Sequence, residues 1–381
     1  MNIAVPRESN PEESRVALVP DSIAKLSKAG VFCRVQSGAG EKASLSDELY
    51  AVAGADVVED SNLLLSQADL LVKVGRPTGS ELRLMHEGAA LLGLLAPLGD
   101  PDFVQTLAKL RLTALSMDAI PRITRAQSMD ALSSQSNIAG YKAVLLAAAA
   151  LPKFFPMLTT AAGTVAPAKV LILGAGVAGL QAIATARRLG AVVTGYDTRA
   201  VVKEQVMSLG ATFLEFDLGV DAQGAGGYAT ELTPQEIDRQ RRFMVQHIGA
   251  SDVVITTALV PGKTAPLLIT EEAVRAMKPG SVIVDLAAEA GGNCALTKPS
   301  QSILAHGVTI LGPTNLASTV PYHASQLYSR NVLTLLTHLL KDGDLALDFN
   351  DEITAGTCLT HDGKIIHAPT VAALAGAGAT A

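Results

Sequence analysis

A glycine-rich turn gives the clearest chemical signal in this sequence of 381 residues. Gly174, Gly176 and Gly179 form a GxGxxG motif directly after the apolar run 170–173 and before a helical pattern. The first glycine allows a tight turn, the second lets backbone approach a pyrophosphate, and the third lets helix and strand pack closely. The N-terminus of the helix offers free N–H groups and a partial positive charge to that anion. The motif therefore predicts a dinucleotide-binding turn.

An acidic residue completes the motif. Asp197 ends the next apolar strand, Val192–Tyr196, where its carboxylate can accept hydrogen bonds from the adenosine ribose. The same carboxylate would repel a 2′-phosphate, so the sequence favours NAD(H) over NADP(H). Arg199 follows two residues later and is interpreted either as a solvated surface charge or as a cation that meets a phosphate. Because strand, glycines, helix, second strand and acid occur in order, the motif is more specific than the glycines alone.

A polar segment, 121–144, concentrates groups that bind ligands. A solvated connection between two domains would take a similar composition, which keeps a structural interpretation open. The charged, amide and hydroxyl side chains at its start are those of Arg122, Arg125, Gln127, Asp130, Ser133, Ser134 and Gln135.

Composition excludes several classes of protein. Thirty basic against 36 acidic residues give a net charge of −6, so no basic stripe invites nucleic acid. Cys33, Cys294 and Cys358 lie too far apart for a disulfide framework or a zinc site, and no metal site is expected. The longest apolar run, 143–151, is shorter than the about 20 residues that a membrane helix needs, so we expect the chain to be soluble by itself. No signal peptide is visible at the start.

Short apolar strands alternate with helix-length segments along the whole chain. This alternation predicts an α/β protein with two doubly wound, Rossmann-like domains that have parallel sheets, with a cleft between them. Helical patterns at 136–150 and 325–340 are expected to join the domains. We therefore predict a discontinuous N-terminal domain, 1–135 plus 326–381, and an NAD(H)-binding Rossmann domain, 136–325.

The polar segment closely resembles the RQD loop of the NAD(H)-binding component, domain I, of proton-translocating NAD(P)+ transhydrogenase. The resemblance extends over nearly the whole chain. It rests on long strings: PRES…ESRVALVP at 6–20, TAAGTVAPAKVLILGAGVAGLQAIATARRLGA at 160–191, VVKEQVMSLGA at 201–211, AGGYA at 225–229, ITTALVPGKTAPLLIT at 255–270 and MKPGSVIVDLAAEAGGNC at 277–294.

The resemblance implies a positioning role for Arg122, Gln127, Asp130 and Ser133, which match the loop residues that hold the nicotinamide end of NAD(H). Gln127 and Ser133 offer neutral hydrogen bonds to a carboxamide and a ribose. Arg122 offers a planar cation to a pyrophosphate or to Asp130. Tyr228 matches the tyrosine of a mobile loop that folds over the bound nucleotide. No residue is expected to act as a general base.

Further cofactor contacts are expected near the ends of the strands in the second sheet. Glu289 and Asn293 follow the strand Val282–Asp285, at the carboxyl end, where such sheets bind ligands. The resemblance adds residues around the glycine turn, beside Asp197 and after the strand Val253–Thr256. The complete cofactor-binding set is Gly174, Gly176, Val177, Ala178, Gly179, Asp197, Thr198, Arg199, Gln127, Ser133, Tyr228, Thr257, Ala258, Leu259, Glu289 and Asn293.

Alanine dehydrogenase is the alternative enzyme, because it has a similar architecture and a related N-terminal motif. Arg15 and Lys73 match its substrate-binding arginine and lysine, although structural ion pairs would explain them equally. That enzyme has a histidine acid/base where this chain has Leu94, and an aspartate where it has Glu289. Leucine cannot transfer a proton, which argues against keto-acid chemistry. Direct hydride exchange between two nicotinamides needs no such group, only positioning and exclusion of water.

The resemblance also implies the partners. The chain is expected to be a homodimer that binds NADH and presents it to NADP+ on a separate NADP(H)-binding component. A transmembrane proton-channel component would hold the complex at the cytoplasmic face of the bacterial inner membrane. A non-enzymatic NAD(H) sensor remains a further interpretation, and tight NADH binding without hydride exchange would support it.

Overall fold

The computed structural model describes residues 1–216, 233–260 and 262–378, and the chain divides into two compact units. Unit 1 comprises Met1–Gln135 and Ala317–Ala381, and unit 2 comprises Ser136–Leu316. The chain thus enters unit 2 at the residue where the sequence placed a boundary. It returns to unit 1 at Ala317, earlier than the predicted residue 326.

Strands and helices alternate through the first part of unit 1. Its elements are β1 (Asn2–Val5), α1 (Pro20–Lys28), β2 (Phe32–Gln36), α2 (Asp47–Val52), β3 (Asp56–Val58), α3 (Ser61–Ser66), β4 (Leu70–Val72), α4 (Gly79–Leu84), β5 (Ala90–Gly93), α5 (Pro101–Lys109) and β6 (Thr113–Ser116).

A 20-residue helix, α6 (Ala131–Ala150), carries the chain into unit 2. The elements that follow are β7 (Leu158–Thr160), β8 (Gly163–Val165), β9 (Lys169–Leu173), α7 (Val177–Arg188), β10 (Val192–Tyr196), α8 (Lys203–Ser208), β11 (Thr212–Phe213), α9 (Pro234–Gly249), β12 (Val253–Thr256), α10 (Glu271–Ala276), β13 (Val282–Asp285), β14 (Gln301–Ala305) and β15 (Val308–Gly312).

The returning chain completes unit 1 with helices and short strands. These are α11 (Pro321–Leu339), β16 (Leu340–Lys341), β17 (Asp344–Leu345), α12 (Glu352–Thr357), β18 (Cys358–His361), β19 (Lys364–Ile365) and α13 (Ala368–Gly378).

The two large sheets have the same strand order at their centres. In unit 1 the order is β3-β2-β1-β4-β5-β6, all parallel, and in unit 2 it is β11-β10-β9-β12-β13-β15, again parallel. Both follow the doubly wound order in which the chain reverses direction between the first and fourth strands. The α/β class predicted from the sequence is therefore confirmed for both units.

Each sheet differs from the prediction at one edge, where the strands are antiparallel. In unit 1, β18 pairs antiparallel with β6 and with β19; in unit 2, β14 pairs antiparallel with β15. Two-residue turns with positive φ connect both pairs: Asp362-Gly363 at +48° and +76°, and His306-Gly307 at +52° and +79°. Such turns match the twist of antiparallel strands, so these segments form hairpins and not crossovers.

Successive strand residues pack on opposite faces of each sheet. In unit 1, Leu70 and Val72 belong to one buried cluster and Leu71 to another; in unit 2, Ile172 and Leu173 separate in the same way. The strands read as continuous apolar runs because both of their faces are buried. All three cysteines are free and buried in these cores. No helix in the described ranges is long and apolar enough to cross a membrane.

Candidate dinucleotide site and polar loop

The glycine turn of unit 2 joins β9 to α7, and two of its glycines leave no room for a side chain. Gly174 has a φ of +101°, and a Cβ there would lie 2.5 Å from the Thr257 hydroxyl. A Cβ at Gly179 would lie 1.8 Å from the carbonyl oxygen of Gly174. This contact brings α7 against the end of β9, and so only glycine allows the turn to close.

Gly176 differs from the other two glycines because a Cβ there would meet no atom within 4 Å. It is the N-cap of α7, and no side chain caps the helix at this end. The first N–H groups of a 12-residue helix therefore face open space. Val177 is exposed and Ala178 half-buried at the same helix end. Space and donors together suit a pyrophosphate.

Thr257 links the glycine turn to the loop after β12. Its hydroxyl donates to the carbonyl oxygen of Gly174 at 3.0 Å, and its N–H donates to that of Leu173 at 2.8 Å. The loop lies at the point where the strand order of the sheet reverses, the usual ligand position in such folds. Leu259, two residues on, is 43% exposed.

Asn293 is fully buried, and its amide is used within the protein. Its Oδ1 accepts from the N–H of Ala258 at 3.1 Å, and its Nδ2 donates to the carbonyl oxygens of Ala258 at 2.9 Å and Pro266 at 2.8 Å. The side chain thus holds the loop after β12 in place. Glu289, by contrast, is exposed, and it accepts from the N–H of Asn315 at 2.8 Å.

Asp285, which the sequence analysis did not select, organises the loop after β13. Its carboxylate is fully buried and accepts from the Thr256 hydroxyl at 2.9 Å, the Ala287 N–H at 3.0 Å, the Cys294 N–H at 3.0 Å and the Thr297 hydroxyl at 2.7 Å. An acid at the end of the otherwise apolar run VIVD is the signal that identifies it, because a buried charge requires several donors.

Arg199 is not a solvated surface charge, and that interpretation was wrong. Its side chain is 15% exposed and that of Asp197 only 7%. The guanidinium donates to both carboxylate oxygens of Asp197, at 2.9 Å from Nε and 2.8 Å from Nη2. The pair forms because a planar fork two residues from a carboxylate matches its two oxygens. Thr198, between them, is half-buried.

The polar loop belongs to unit 1 and begins as a 3-10 helix, Thr124–Met129. Ala126 and Met129 are buried and anchor it, whereas Arg122 and Gln127 are exposed. The loop therefore presents polar side chains from a fixed backbone.

Asp130 caps the start of α6. Its Oδ1 accepts from the Ser133 N–H at 2.9 Å, and its Oδ2 accepts from the Ser133 hydroxyl at 2.6 Å. This is the hydrogen-bond pattern of an N-cap aspartate. The arrangement fixes the position of Ser133, whose hydroxyl oxygen can still accept a hydrogen bond. Two of the predicted loop residues are thus bonded to each other.

Arg15 and Lys73 form ion pairs in unit 1. Arg15 donates to both oxygens of Glu13 at 2.7 and 2.6 Å and to the Gln135 carbonyl oxygen at 2.9 Å. Lys73 is fully buried and donates to Glu81 at 2.7 Å. Leu94 packs half-buried against the core of the same unit. The geometry supports the ion-pair interpretation of both cations.

Two further predictions concern a loop and metals. Tyr228 lies outside the described residues. Among the residues described, no group of three or more histidine, cysteine, aspartate or glutamate side chains is placed to hold a metal ion.

Comparison with known proteins places the whole chain in one sequence family. Residues 4–139 match the N-terminal domain of the family described as alanine dehydrogenase/PNT, and residues 143–368 match its C-terminal domain. The chain is 49% identical to the first of the polypeptides that make up NAD(P) transhydrogenase subunit alpha in Rhodospirillum rubrum, with 100% of both chains covered.

Solved structures give the same grouping. The crystal structure of transhydrogenase from Sinorhizobium meliloti is 42% identical, with a TM-score of 0.87 over 96% of this chain and 100% of that one. An L-alanine dehydrogenase structure is 26% identical, with a TM-score of 0.82 over 99% of each chain. Sequence identity is thus higher to the transhydrogenases than to this dehydrogenase.

Proposed function

The chain belongs to the alanine dehydrogenase/PNT family, and on that premise we propose that it works as the NAD(H)-binding portion of an NAD(P) transhydrogenase alpha subunit. The observation that carries this proposal is the full-length correspondence, at 49% identity, with a polypeptide of a transhydrogenase alpha subunit. The activity is that of a transhydrogenase, an oxidoreductase that exchanges a hydride between two nicotinamide nucleotides.

Unit 2 would hold the adenosine and pyrophosphate groups of NAD(H). In support, Gly176 borders open space at the uncapped N-terminus of α7, where anions are stabilised by free N–H groups. Thr257, Ala258 and Leu259 form the adjoining loop, and Asp197 lies at the end of the neighbouring strand. The residues present therefore fit a dinucleotide.

The polar loop of unit 1 would orient the nicotinamide end through Arg122, Gln127 and Ser133, with Asp130 fixing Ser133. Arg122 and Gln127 are exposed side chains on an anchored backbone, so they are available to a ligand. The bound NADH supplies the hydride. The protein side chains bind it, orient it and exclude water, and none of them transfers a proton in this scheme.

The partners of the chain would be the other transhydrogenase subunits: an NADP(H)-binding component and a transmembrane proton channel. Through them the chain would reside at the cytoplasmic face of the bacterial inner membrane.

We further propose that the chain forms a homodimer. In support, Phe154 and Met157 are 57% and 62% exposed next to the hairpin β7–β8, whose Val165 is 44% exposed. Exposed apolar clusters of this kind are typical of interaction sites. Light scattering after size-exclusion chromatography should give twice the mass of one chain, and a Met157→Asp/Phe154→Asp variant should give the mass of one.

The function is tested by mixing the chain with a transhydrogenase NADP(H)-binding component, NADPH and an NAD+ analogue. We expect reduction of the analogue only when both proteins are present. In a parallel assay with NADH, pyruvate and ammonium, the chain alone should be inactive, because Leu94 occupies the position of the dehydrogenase's acid/base histidine.

The other outcomes identify the alternatives. Oxidation of NADH in the pyruvate assay would mean that the chain is an amino-acid dehydrogenase. Binding of NADH with both assays silent would support the sensor interpretation and refute the proposed activity.

A further inference from the structure

Both oxygens of the Asp197 carboxylate are already used inside unit 2. Oδ1 accepts from the Arg199 N–H at 2.9 Å and from Arg199 Nε at 2.9 Å. Oδ2 accepts from Arg199 Nη2 and from the Ala175 N–H, both at 2.8 Å. An ionised carboxylate offers about four acceptor positions, so four donors fill it. A ribose hydroxyl must therefore share an oxygen with one of these donors or displace it.

The charge of Asp197 is also offset. The guanidinium lies within hydrogen-bond distance of both carboxylate oxygens, and both side chains are largely shielded from water. Opposite charges this close cancel most of each other's field at a distance. Repulsion by Asp197 alone is thus too weak an explanation for rejecting a nucleotide that carries a 2′-phosphate.

Arg199 is itself the type of residue that binds a 2′-phosphate when it is near the end of the second strand. Its planar fork can serve a carboxylate or a phosphate, but it cannot serve both with the same N–H groups. In this chain Nε and Nη2 are committed to Asp197. The hydrogen bond to Asp197 also raises the pKa of Arg199, so the cation is permanent.

We propose that Arg199 is a specificity-determining residue and that Asp197 selects NAD(H) chiefly by holding the Arg199 guanidinium away from a 2′-phosphate. The inference rests on the proposed binding of NAD(H) by unit 2. It assigns to the pair a role that neither residue would have alone. Without Asp197, Arg199 would be released to bind NADP(H). Without Arg199, the uncompensated Asp197 would repel NADP(H) more strongly.

The test is a double-mutant cycle on nucleotide affinity. NADH and NADPH are titrated separately into the wild type, Asp197→Asn, Arg199→Ala and the double variant, with nicotinamide fluorescence as the readout. The chain contains no tryptophan, so tryptophan emission does not interfere. Asparagine still offers Oδ1 to the Ala175 N–H, which preserves the turn. Thermal unfolding of each variant checks that the fold is retained.

We expect Asp197→Asn to raise the ratio of NADPH to NADH affinity about tenfold, as a charge-assisted phosphate contact would. Arg199→Ala should lower the ratio, and the double variant should lose the gain. If the double variant keeps the gain, charge repulsion alone determines specificity and the proposal is refuted. An unchanged ratio in Asp197→Asn refutes it as well. If Asp197→Asn does not fold, an unchanged ratio in Arg199→Ala overturns the proposal. A wild type that fails to bind NADH would instead refute the proposed function.

Discussion

The side-chain amide of Asn293 pairs with both backbone groups of Ala258, accepting from its N–H at 3.1 Å and donating to its carbonyl oxygen at 2.9 Å. The two residues belong to loops that follow neighbouring parallel strands, β12 and β13. A reciprocal pair of this kind fixes the distance and the orientation between the loops. The position of Thr257, which contacts the glycine turn, therefore depends on Asn293.

Asn293→Ala should weaken NADH binding and also lower stability. The substitution leaves three buried backbone groups without their partner, at a cost of about 1–3 kcal/mol. Fluorescence titration and urea unfolding measure the two effects. Thr270→Ala is the matched control, because it removes the N-cap of α10, away from the glycine turn, at a cost of about 1 kcal/mol. Equal NADH affinity in the two variants would contradict the positioning role.

Two glycines of the turn should respond differently to alanine. Gly176→Ala places its methyl group in open space, so stability should change by less than about 1 kcal/mol. NADH affinity should fall on the order of tenfold, because the methyl group lies where backbone approaches the pyrophosphate. Gly179→Ala forces a methyl group to within 1.8 Å of the Gly174 carbonyl oxygen and should lower the unfolding free energy by more than about 2 kcal/mol. The opposite pattern would place the nucleotide elsewhere.

Asp130→Asn should reduce hydride exchange without changing the shape of the pH–rate profile. Asparagine is also a good N-cap, and so the start of α6 and the position of Ser133 are retained. Asp130→Ala removes both hydrogen bonds and should cost about 1 kcal/mol of stability in addition. Turnover is measured with the NADP(H)-binding component across a range of pH. Loss of a limb of the profile in Asp130→Asn would reveal a general base.

Asp351 should stabilise unit 1 in a pH-dependent way. Burial acts to raise the pKa of this carboxyl, but hydrogen bonds from the Thr354 N–H, His338 and Arg125 outweigh it and hold the pKa well below its ordinary value. Because the folded-state pKa is depressed, the stabilisation is present above the unfolded value of about 4 and is lost as the pH falls below it.

Urea unfolding of the wild type and Asp351→Asn tests this expectation. The wild type should be more stable at pH 6, by about 1 kcal/mol, and the difference should shrink at pH 3. His338→Gln should reproduce some of the loss, because it removes one partner of the carboxylate at 2.8 Å. A difference that is constant with pH would contradict the assigned role of ionised Asp351.

The sequence predicted those features of the fold that depend on local pattern. Apolar runs separated by helices indicate buried parallel strands, and three glycines at fixed spacing identify the turn after β9. The antiparallel edges were missed because His306-Gly307 and Asp362-Gly363 are short signals within segments that also suit a crossover. Hydrogen-bond partners were less predictable still. Asn293 and Arg199 were selected as ligand contacts or surface charges, and three-dimensional packing directs both toward the protein itself.

The burial of the three cysteines has a practical consequence for spectroscopy. Burial raises the pKa of Cys33 and of Cys358 to about 12, and the pKa of Cys294 is raised by the same cause. Alkylating reagents attack the thiolate, so the native side chains should stay unmodified at neutral pH. A cysteine introduced at an exposed position, such as Tyr141, would then be the unique attachment point for a spin label or a dye, with all three native cysteines left in place.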